Sequence, residues 1–287
     1  MRLSISNLAW EPSDDADVAA LLTSRGVDAI DVAPGKYFPD PPRTTDAAIA
    51  GVRAAWARRG IAITGMQALL FGTTGLNVFG EAAVQARMLE HLSAVCRIAR
   101  GLGARHLVFG SPRNRDRAGL DDAQVEQRAA SFFRRLGDIA ADHDVEICLE
   151  PNPPAYGANY MTTAAESAAV VRMVAHPAVR LQFDTGALAV SGEDAGTIVA
   201  AHAALIGHVH ASEPALAPLG EGGVVDHVSA GRAIRQHRPD LTVAIEMLVP
   251  APADRLAVIA HAIDCARAAY GGDPAVGDHG PRHARSG

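Results

Sequence analysis

Cysteine is scarce in this sequence, whose 287 residues contain only Cys96, Cys148 and Cys265. An odd number of widely spaced cysteines shows neither a disulfide framework nor the spacing of a zinc knuckle. We therefore expect buried thiols in a cytoplasmic protein. Long apolar runs are also lacking, because no window has the roughly 20 apolar residues that cross a bilayer. The first residues, Met1 to Ser6, have the pattern of a strand, so we predict no signal peptide.

Positive charge is scarce too, and lysine most of all. Acidic residues outnumber basic ones, 32 to 26, for a formal net charge of −6. This balance argues against general affinity for nucleic acid or an anionic membrane. Disorder is excluded as well, since 48% of the residues are hydrophobic and only 20% are charged. Lys36 is the only lysine, which singles it out in a chain that otherwise uses arginine.

Eight short apolar runs alternate with longer stretches that have helical spacing. Runs of this kind, bounded by turn residues, are typical of buried parallel strands. The alternation predicts an α/β fold, a single (β/α)8 TIM barrel over residues 1–270. Residues 271–287 have no apolar period and predict a disordered C-terminal tail. The predicted strands are Leu3–Trp10, Ala29–Ala33, Ala62–Leu70, His106–Ser111, Glu146–Pro151, Arg180–Thr185, Ile206–Ser212 and Leu241–Leu248.

The stretches between these runs predict the helices of the barrel. Ala82–Leu102 and Ala123–His143 have the clearest apolar spacing at three and four residues. Several predicted helices are followed by glycine, at Gly26, Gly60 and Gly103. A glycine there predicts a left-handed cap that turns the chain back toward the next strand.

Four consecutive runs in the second half end on residues that can bind a divalent metal: Glu150, Asp184, His210 and Glu246. The C-terminal ends of barrel strands gather on one face, so three carboxylates and one imidazole should converge there. Such a set suits one divalent ion, with Mn²⁺ the first choice and Mg²⁺, Co²⁺ or Zn²⁺ as alternatives.

Four segments together resemble the xylose isomerase-like barrel superfamily: Leu149-Glu150, Phe183-Asp184-Thr185-Gly186, His208-Val209-His210 and Ile245-Glu246. The superfamily groups sugar isomerases and epimerases, inosose dehydratases and type IV abasic-site endonucleases. The nearest functional branch is that of ketose 3-epimerases, in which two Glu, an Asp and a His hold one metal. The resemblance implies that Glu150, Asp184, His210 and Glu246 are the ligands here and that the two glutamates also move protons.

The chain departs from that branch at three positions. The branch usually has His, Arg and Glu where this chain has Ala187, Leu216 and Tyr156. Free ketohexose is therefore doubtful as the substrate. The endonuclease branch has further histidines at the ends of strands two and three, where this chain has Lys36 and Gln67. A three-zinc cluster is therefore not expected.

The expected chemistry follows from the two glutamates. Moving hydrogen on a carbon next to a carbonyl requires a stabilised enediolate and carboxylates that take and return the proton. Glu150 and Glu246 would be the acid–base pair of a metal-dependent isomerase or epimerase acting on a sugar, sugar phosphate or cyclitol. The alternative is an inosose dehydratase-like lyase. An abasic-site endonuclease and a non-catalytic binding subunit are further alternatives.

Five residues near the predicted strand ends are candidates for binding a sugar or polyol. Charged Lys36 and Arg113 could hold an anionic group, although both could equally be solvated surface charges. Gln67 and Asn152 could bind hydroxyls or only tie down loops, and Trp10 could face a sugar or pack in the rim. His208 lies one layer deeper than His210 and is interpreted as a hydrogen-bonded core histidine.

Two glycine-rich loops, 71–80 and 214–223, are candidates for covering a bound substrate. A homodimer or homotetramer is possible.

Overall fold

The computed structural model describes residues 1–271 and contains a closed barrel of eight parallel strands. Each strand pairs with the next along the chain, and the eighth pairs with the first. The strands are β1 (Leu3–Ser6), β2 (Ala29–Val32), β3 (Ala62–Met66), β4 (His106–Phe109), β5 (Glu146–Leu149), β6 (Val179–Asp184), β7 (Ile206–Ser212) and β8 (Val243–Glu246). The predicted α/β barrel is therefore confirmed.

Helices lie between the strands and after the last one. Within the described residues they are α1 (Asp15–Ser24), α2 (Asp46–Ala57), α3 (Ala82–Leu102), α4 (Asp122–Asp142), α5 (Ala164–Val174), α6 (Thr185–Ser191), α7 (Ala195–His202), α8 (His227–His237) and α9 (Arg255–Tyr270). The α3 bounds agree with the sequence prediction, and α4 is displaced by one residue. A capping box formed by Asp121 and Gln124 starts α4 one residue early.

Most predicted strands extend too far at their C-terminal ends. The first was expected to run to Trp10, but β1 ends at Ser6 because the chain enters a short 3-10 turn at Asn7. The third was expected to reach Leu70, but β3 ends at Met66. The extra apolar residues belong to loops at the barrel mouth, where they are buried against the rim. The apolar runs are longer than the hydrogen-bonded strands because the loop residues that follow the strands are buried as well.

The core lies between the strands and the helices, with both faces of the sheet buried. The predicted glycine caps are present: Gly26, Gly60 and Gly103 all have positive φ, at 61°, 73° and 87°. Among the described residues, no helix combines the length and apolarity required to cross a membrane. The tail predicted as disordered, apart from Gly271, lies outside the described residues.

Candidate metal centre

Four side chains from β5 to β8 meet at the C-terminal mouth of the barrel. Glu150 follows β5, Asp184 ends β6, His210 lies in β7 and Glu246 ends β8. One ligand atom from each lies within 4.8 Å of the others. The His210 Nδ1 atom lies 3.5 Å from Glu150 Oε1, 3.8 Å from Asp184 Oδ2 and 3.1 Å from Glu246 Oε2. These four residues are called the candidate metal centre below.

β7 has the predicted bounds, Ile206–Ser212, so His210 lies inside the strand, two residues before its end. In the sheet, His210 pairs with Asp184, and Ser212 pairs with Glu246. The strands are staggered, so His210 is level with the end of β6, whereas the end of β8 is level with Ser212.

Asp184 has two roles in its surroundings. Its Oδ1 atom accepts a hydrogen bond from the Ala187 N–H at 2.6 Å and thereby caps α6. Its Oδ2 atom accepts a hydrogen bond from the Ser212 hydroxyl at 2.9 Å. Because both oxygens are held, the carboxylate has a fixed orientation toward the cluster.

Glu150 is held from behind by buried neighbours. Arg115 is fully buried, and its Nη1 donates a 2.7 Å hydrogen bond to the Glu150 carbonyl oxygen. Burial lowers the pKa of Arg115 to about 10, although the Glu150 charge opposes this shift. The Asn152 amide donates to Glu150 Oε2 at 3.2 Å. The carboxylate also occupies the space where any residue but glycine at Gly110 would place its Cβ.

The electrostatics of the centre reflect crowded negative charge. Burial, together with the charges of Glu150 and Glu246, raises the pKa of Asp184 to about 7. Burial alone would lower the pKa of His210, but the nearby charges of Glu246 and Glu150 outweigh it and raise that pKa well above its usual value. Both raised pKa values mean that Asp184 and His210 keep their protons to a higher pH. The reason is that the described side chains provide too little positive charge to balance the carboxylates.

The residues fit a divalent metal. His210 is completely buried, yet neither ring nitrogen has a hydrogen-bond partner. A buried nitrogen without a partner is costly, and a metal ion that accepts the lone pair of one ring nitrogen removes that cost for it. Three carboxylates and one imidazole are a hard-to-borderline set that suits Mn²⁺, Mg²⁺, Co²⁺ or Zn²⁺.

A second polar group, the lower cluster, lies one layer deeper in the barrel and consists of Asp31, Thr64, His106, Glu146 and His208. His208 Nε2 lies 2.6 Å from Asp31 Oδ2, and the Thr64 hydroxyl donates to Asp31 Oδ1 at 2.9 Å. The His106 ring stacks on His208 with centroids 5.3 Å apart, and its Nδ1 lies 3.4 Å from Glu146. His208 is therefore the hydrogen-bonded core histidine that was predicted.

A glycine makes room for this cluster. A Cβ at Gly65 would lie 2.5 Å from Asp31 Oδ2. The pairing of β2 with β3 also shifts register between Ile30 and Asp31. The backbone around Asp31 is therefore shaped to accept a buried carboxylate.

A cavity of about 390 Å³ opens above the candidate metal centre. Of the predicted substrate-binding residues, Gln67 and Asn152 line it. Both predicted cover loops contribute, with Phe71 from the first and Leu216 from the second. The cavity is lined by Leu8, Gln67, Ala68, Leu69, Leu70, Phe71, Val108, Phe109, Gly110, Ser111, Pro112, Glu150, Asn152, Tyr156, Asp184, Ala187, Leu216 and Glu246.

Lys36, Trp10 and Arg113 are absent from this lining, and their part in substrate binding stays a prediction. The Lys36 ammonium donates to the Trp10 carbonyl at 2.6 Å and pairs with Glu11 at 3.1 Å. The Trp10 ring is buried against Trp56, and its N–H donates to Asp15. Arg113 is exposed on the loop after β4. Local hydrogen bonds and packing hold Lys36 and Trp10 in the outer rim.

Sequence reasoning missed Ser111, Arg115, Ser212 and Asp31 as residues around the centre. Ser212 had a usable signal, since it lies two residues after His210 on a strand and therefore shares its face. Asp31 had one too, as a carboxylate inside the apolar run Ala29–Ala33. Arg115 lies in the same loop as Arg113, two residues further along the chain. Its burial depends on the path of that loop, which no local pattern encodes.

The profile of the xylose isomerase-like TIM barrel family matches residues 19–269. The match covers most of the chain, so the chain belongs to this family. No curated protein sequence matches it.

Solved structures with the same fold include several sugar epimerases. A D-psicose 3-epimerase determined in the presence of D-fructose is 21% identical, with a TM-score of 0.79 over 95% of this chain and 100% of that chain. The 3-keto-D-glucoside 4-epimerase YcjR from E. coli is 15% identical, with a TM-score of 0.76 over 93% and 99%. The IolI protein, determined with a bound zinc atom, is 16% identical, with a TM-score of 0.69 over 94% and 96%. At these identities the likeness establishes the fold.

Proposed function

We propose that this chain is a divalent-metal-dependent isomerase or epimerase that acts on a carbonyl sugar or a related polyol. The main observation is the convergence of three carboxylates and one imidazole, with ligand atoms within 4.8 Å of one another, beneath a cavity of about 390 Å³ that the three carboxylates line. Family membership and the epimerase neighbours agree with this proposal. Mn²⁺ remains the metal of first choice.

The four side chains of the candidate metal centre have different roles in this proposal. Glu150, Asp184, His210 and Glu246 would hold the metal, which when bound polarises a carbonyl oxygen and stabilises developing negative charge. Glu246 and Glu150 would take a proton from the carbon beside the carbonyl and return one. Glu150 is braced by Asn152 at its carboxylate and by Arg115 at its carbonyl oxygen. The Glu246 carboxylate accepts no hydrogen bond within the described residues, and it lies 3.1 Å from His210 Nδ1, so it is freer to move a proton.

Asp184 would serve as a fixed anion rather than a proton carrier. The α6 N–H of Ala187 and the Ser212 hydroxyl hold both of its oxygens. The apolar walls contributed by Val108 and Phe109 would limit water around the reacting carbon.

Hydrogen exchange with solvent tests the proposal. The Mn²⁺-loaded protein is incubated in deuterated buffer with a panel of ketoses, keto-glycosides and keto-cyclitols, and deuterium is located by NMR. We expect deuterium at a single carbon next to the carbonyl of at least one sugar. Glu246→Gln should lower that rate by a factor on the order of 10² or more, because a positioned acid–base group contributes about that much.

The matched control is Glu221→Gln, since Glu221 is an exposed glutamate of the second cover loop and does not line the cavity. It should exchange at the wild-type rate. Loss of water from a keto-cyclitol would replace the proposal with the lyase alternative. A protein that binds no metal and exchanges no hydrogen would indicate a binding subunit. A cytoplasmic location and a homodimer or homotetramer remain predictions.

A further inference from the structure

The charged side chains that line the cavity are all acidic. They are Glu150, Asp184 and Glu246, and the lining contains no lysine, arginine or histidine. Arg115 is fully buried behind Glu150, out of reach of a ligand in the cavity. A bound divalent ion would cancel only two of the three negative charges. A phosphate or carboxylate on the substrate would therefore meet a centre of net negative charge with no cationic side chain in the lining to pair with it, and an unpaired charge in such a site is strongly disfavoured.

The polar groups available to the substrate are few and uncharged. Gln67 is only 2% exposed, and its amide donates to the Ser6 hydroxyl, while its carbonyl oxygen has no partner. That oxygen is buried in this structure, and a substrate hydroxyl that reached it would supply the missing donor. The Asn152 amide is already engaged by Glu150 and by the Pro151 carbonyl. Away from the metal, the lining thus offers uncharged polar groups and little that would bind an anionic group.

The outer part of the cavity is apolar. Leu69 and Leu70 directly precede the first cover loop, Phe71 begins it, and Leu216 comes from the second. Phe71 is 85% exposed, so a ligand in the cavity could cover it. Leu216 has a φ of 56°, a strained conformation for a branched residue. Its carbonyl accepts a 2.8 Å hydrogen bond from the Leu248 N–H, which fixes this strained segment at the mouth.

We propose that the substrate is an uncharged carbonyl sugar derivative whose end away from the metal carries an apolar group, such as the aglycone of an alkyl or aryl keto-glycoside. This inference rests on the proposed function and narrows its substrate. It replaces the expectation of an anionic substrate, because Lys36 and Arg113 lie outside the cavity. The sugar hydroxyls would face Gln67 and the candidate metal centre, and the apolar group would contact Leu69, Phe71 and Leu216.

Binding measurements test this assignment without requiring turnover. The Mn²⁺-loaded protein is titrated calorimetrically with phenyl β-D-glucopyranoside, D-glucose and D-glucose 6-phosphate, which share one ring. We expect the phenyl glycoside to bind about tenfold or more tightly than glucose, because a phenyl group leaves water for an apolar wall. Glucose 6-phosphate should bind no better than glucose.

Two variants locate the contact. Phe71→Ala and Leu216→Ala should each reduce the advantage of the phenyl glycoside over glucose severalfold. The control is Val228→Ala, which removes an exposed apolar side chain from α8, away from the cavity. Phe71 is so exposed that its replacement tests the contact even if the Leu216 variant does not fold. Leu216→Arg should selectively improve binding of glucose 6-phosphate.

The proposal is overturned if glucose 6-phosphate binds best, if no probe binds, or if both alanine variants keep the full preference for the phenyl glycoside. A change of oligomeric state in Phe71→Ala with an unchanged preference would assign Phe71 to a subunit contact and also overturn its role here. Failure of the proposed function is distinguishable, because it would appear as absence of deuterium exchange with every carbonyl sugar in the panel.

Discussion

Two buried acid–histidine groups lie one layer apart in this barrel, and they differ in how completely their polar atoms are paired. In the lower cluster, Asp31 accepts hydrogen bonds at both carboxylate oxygens, from His208 and from Thr64. In the candidate metal centre, three carboxylates surround His210, whose two ring nitrogens have no hydrogen-bond partner. The same residue types therefore form a paired Asp31 and His208 in one layer and an imidazole with unpaired nitrogens among three carboxylates in the next.

The pKa shifts of the two aspartates follow this difference. Burial raises the pKa of Asp31, but the partner His208 outweighs burial, and the pKa falls below its usual value. Burial raises the pKa of Asp184 too, and there the neighbouring carboxylates add to the effect, so the pKa reaches about 7. Asp31 is therefore paired with a histidine inside the protein, whereas Asp184 has acidic neighbours and no paired cation.

The largest expected effect is loss of metal from the upper layer. Asp184→Ala or His210→Ala removes a ligand, so bound metal should fall from about one per chain to well below one. Elemental analysis of the purified proteins measures this. Asp17→Ala, at an exposed position on α1, is the control and should retain full occupancy. Full occupancy in both ligand variants would contradict the distinction between the two layers.

Removing one partner of the lower cluster should instead lower stability. Asp31→Ala leaves His208 buried without its acceptor, and breaking such a pair costs about 3–5 kcal/mol of unfolding free energy. His208→Ala should cost a similar amount, and the double variant should cost less than the sum because the two residues interact. Denaturant unfolding of the three variants measures this coupling. If the losses of unfolding free energy in the two single variants simply add in the double variant, the interaction between Asp31 and His208 contributes nothing to stability.

Metal binding should depend on pH near neutrality. The pKa of Asp184 is raised to about 7, so below that pH a proton occupies the carboxylate and must leave when metal binds. The raised pKa of His210 acts in the same direction. Apparent affinity should therefore fall by at least about tenfold per pH unit below pH 7, as one displaced proton requires. Calorimetry in buffers of different ionisation heat counts the protons, and constant affinity between pH 6 and 8 would refute the expectation.

The smallest expected effect concerns Glu146, at the edge of the lower cluster. A hydrogen bond from His106 outweighs burial and, with Arg105, lowers the Glu146 pKa to about 2. A lowered pKa means that the stabilisation is complete above about pH 4.5 and is lost as the pH falls toward 2. Arg105 is 65% exposed, so solvent screening reduces the contribution to about 1 kcal/mol. Glu146→Gln should lose less stability than wild type between pH 4.5 and 2, and equal acid sensitivity would contradict this.

Much of the fold was predictable because local signals were strong. The alternation of apolar runs and helical stretches identified eight strands and the long helix Ala82–Leu102. Glu150, Asp184, His210 and Glu246 were found because parallel strands have one direction, so residues at the same end of consecutive runs must meet. Strand ends were predicted poorly, since buried loops at the mouth have the same composition as strands.

The sequence by itself determined the barrel, the order of its strands and the four residues that converge at its mouth. The tertiary structure alone decided which polar residues face the cavity and which are tied elsewhere. It placed Gln67 in the lining, engaged Lys36 with Trp10 and Glu11, and buried Arg115 behind Glu150. It also paired His208 with Asp31, 177 residues away. The reason is physical: periodicity is local and fixes which face a side chain takes, whereas hydrogen-bond partners and loop paths depend on residues distant in sequence.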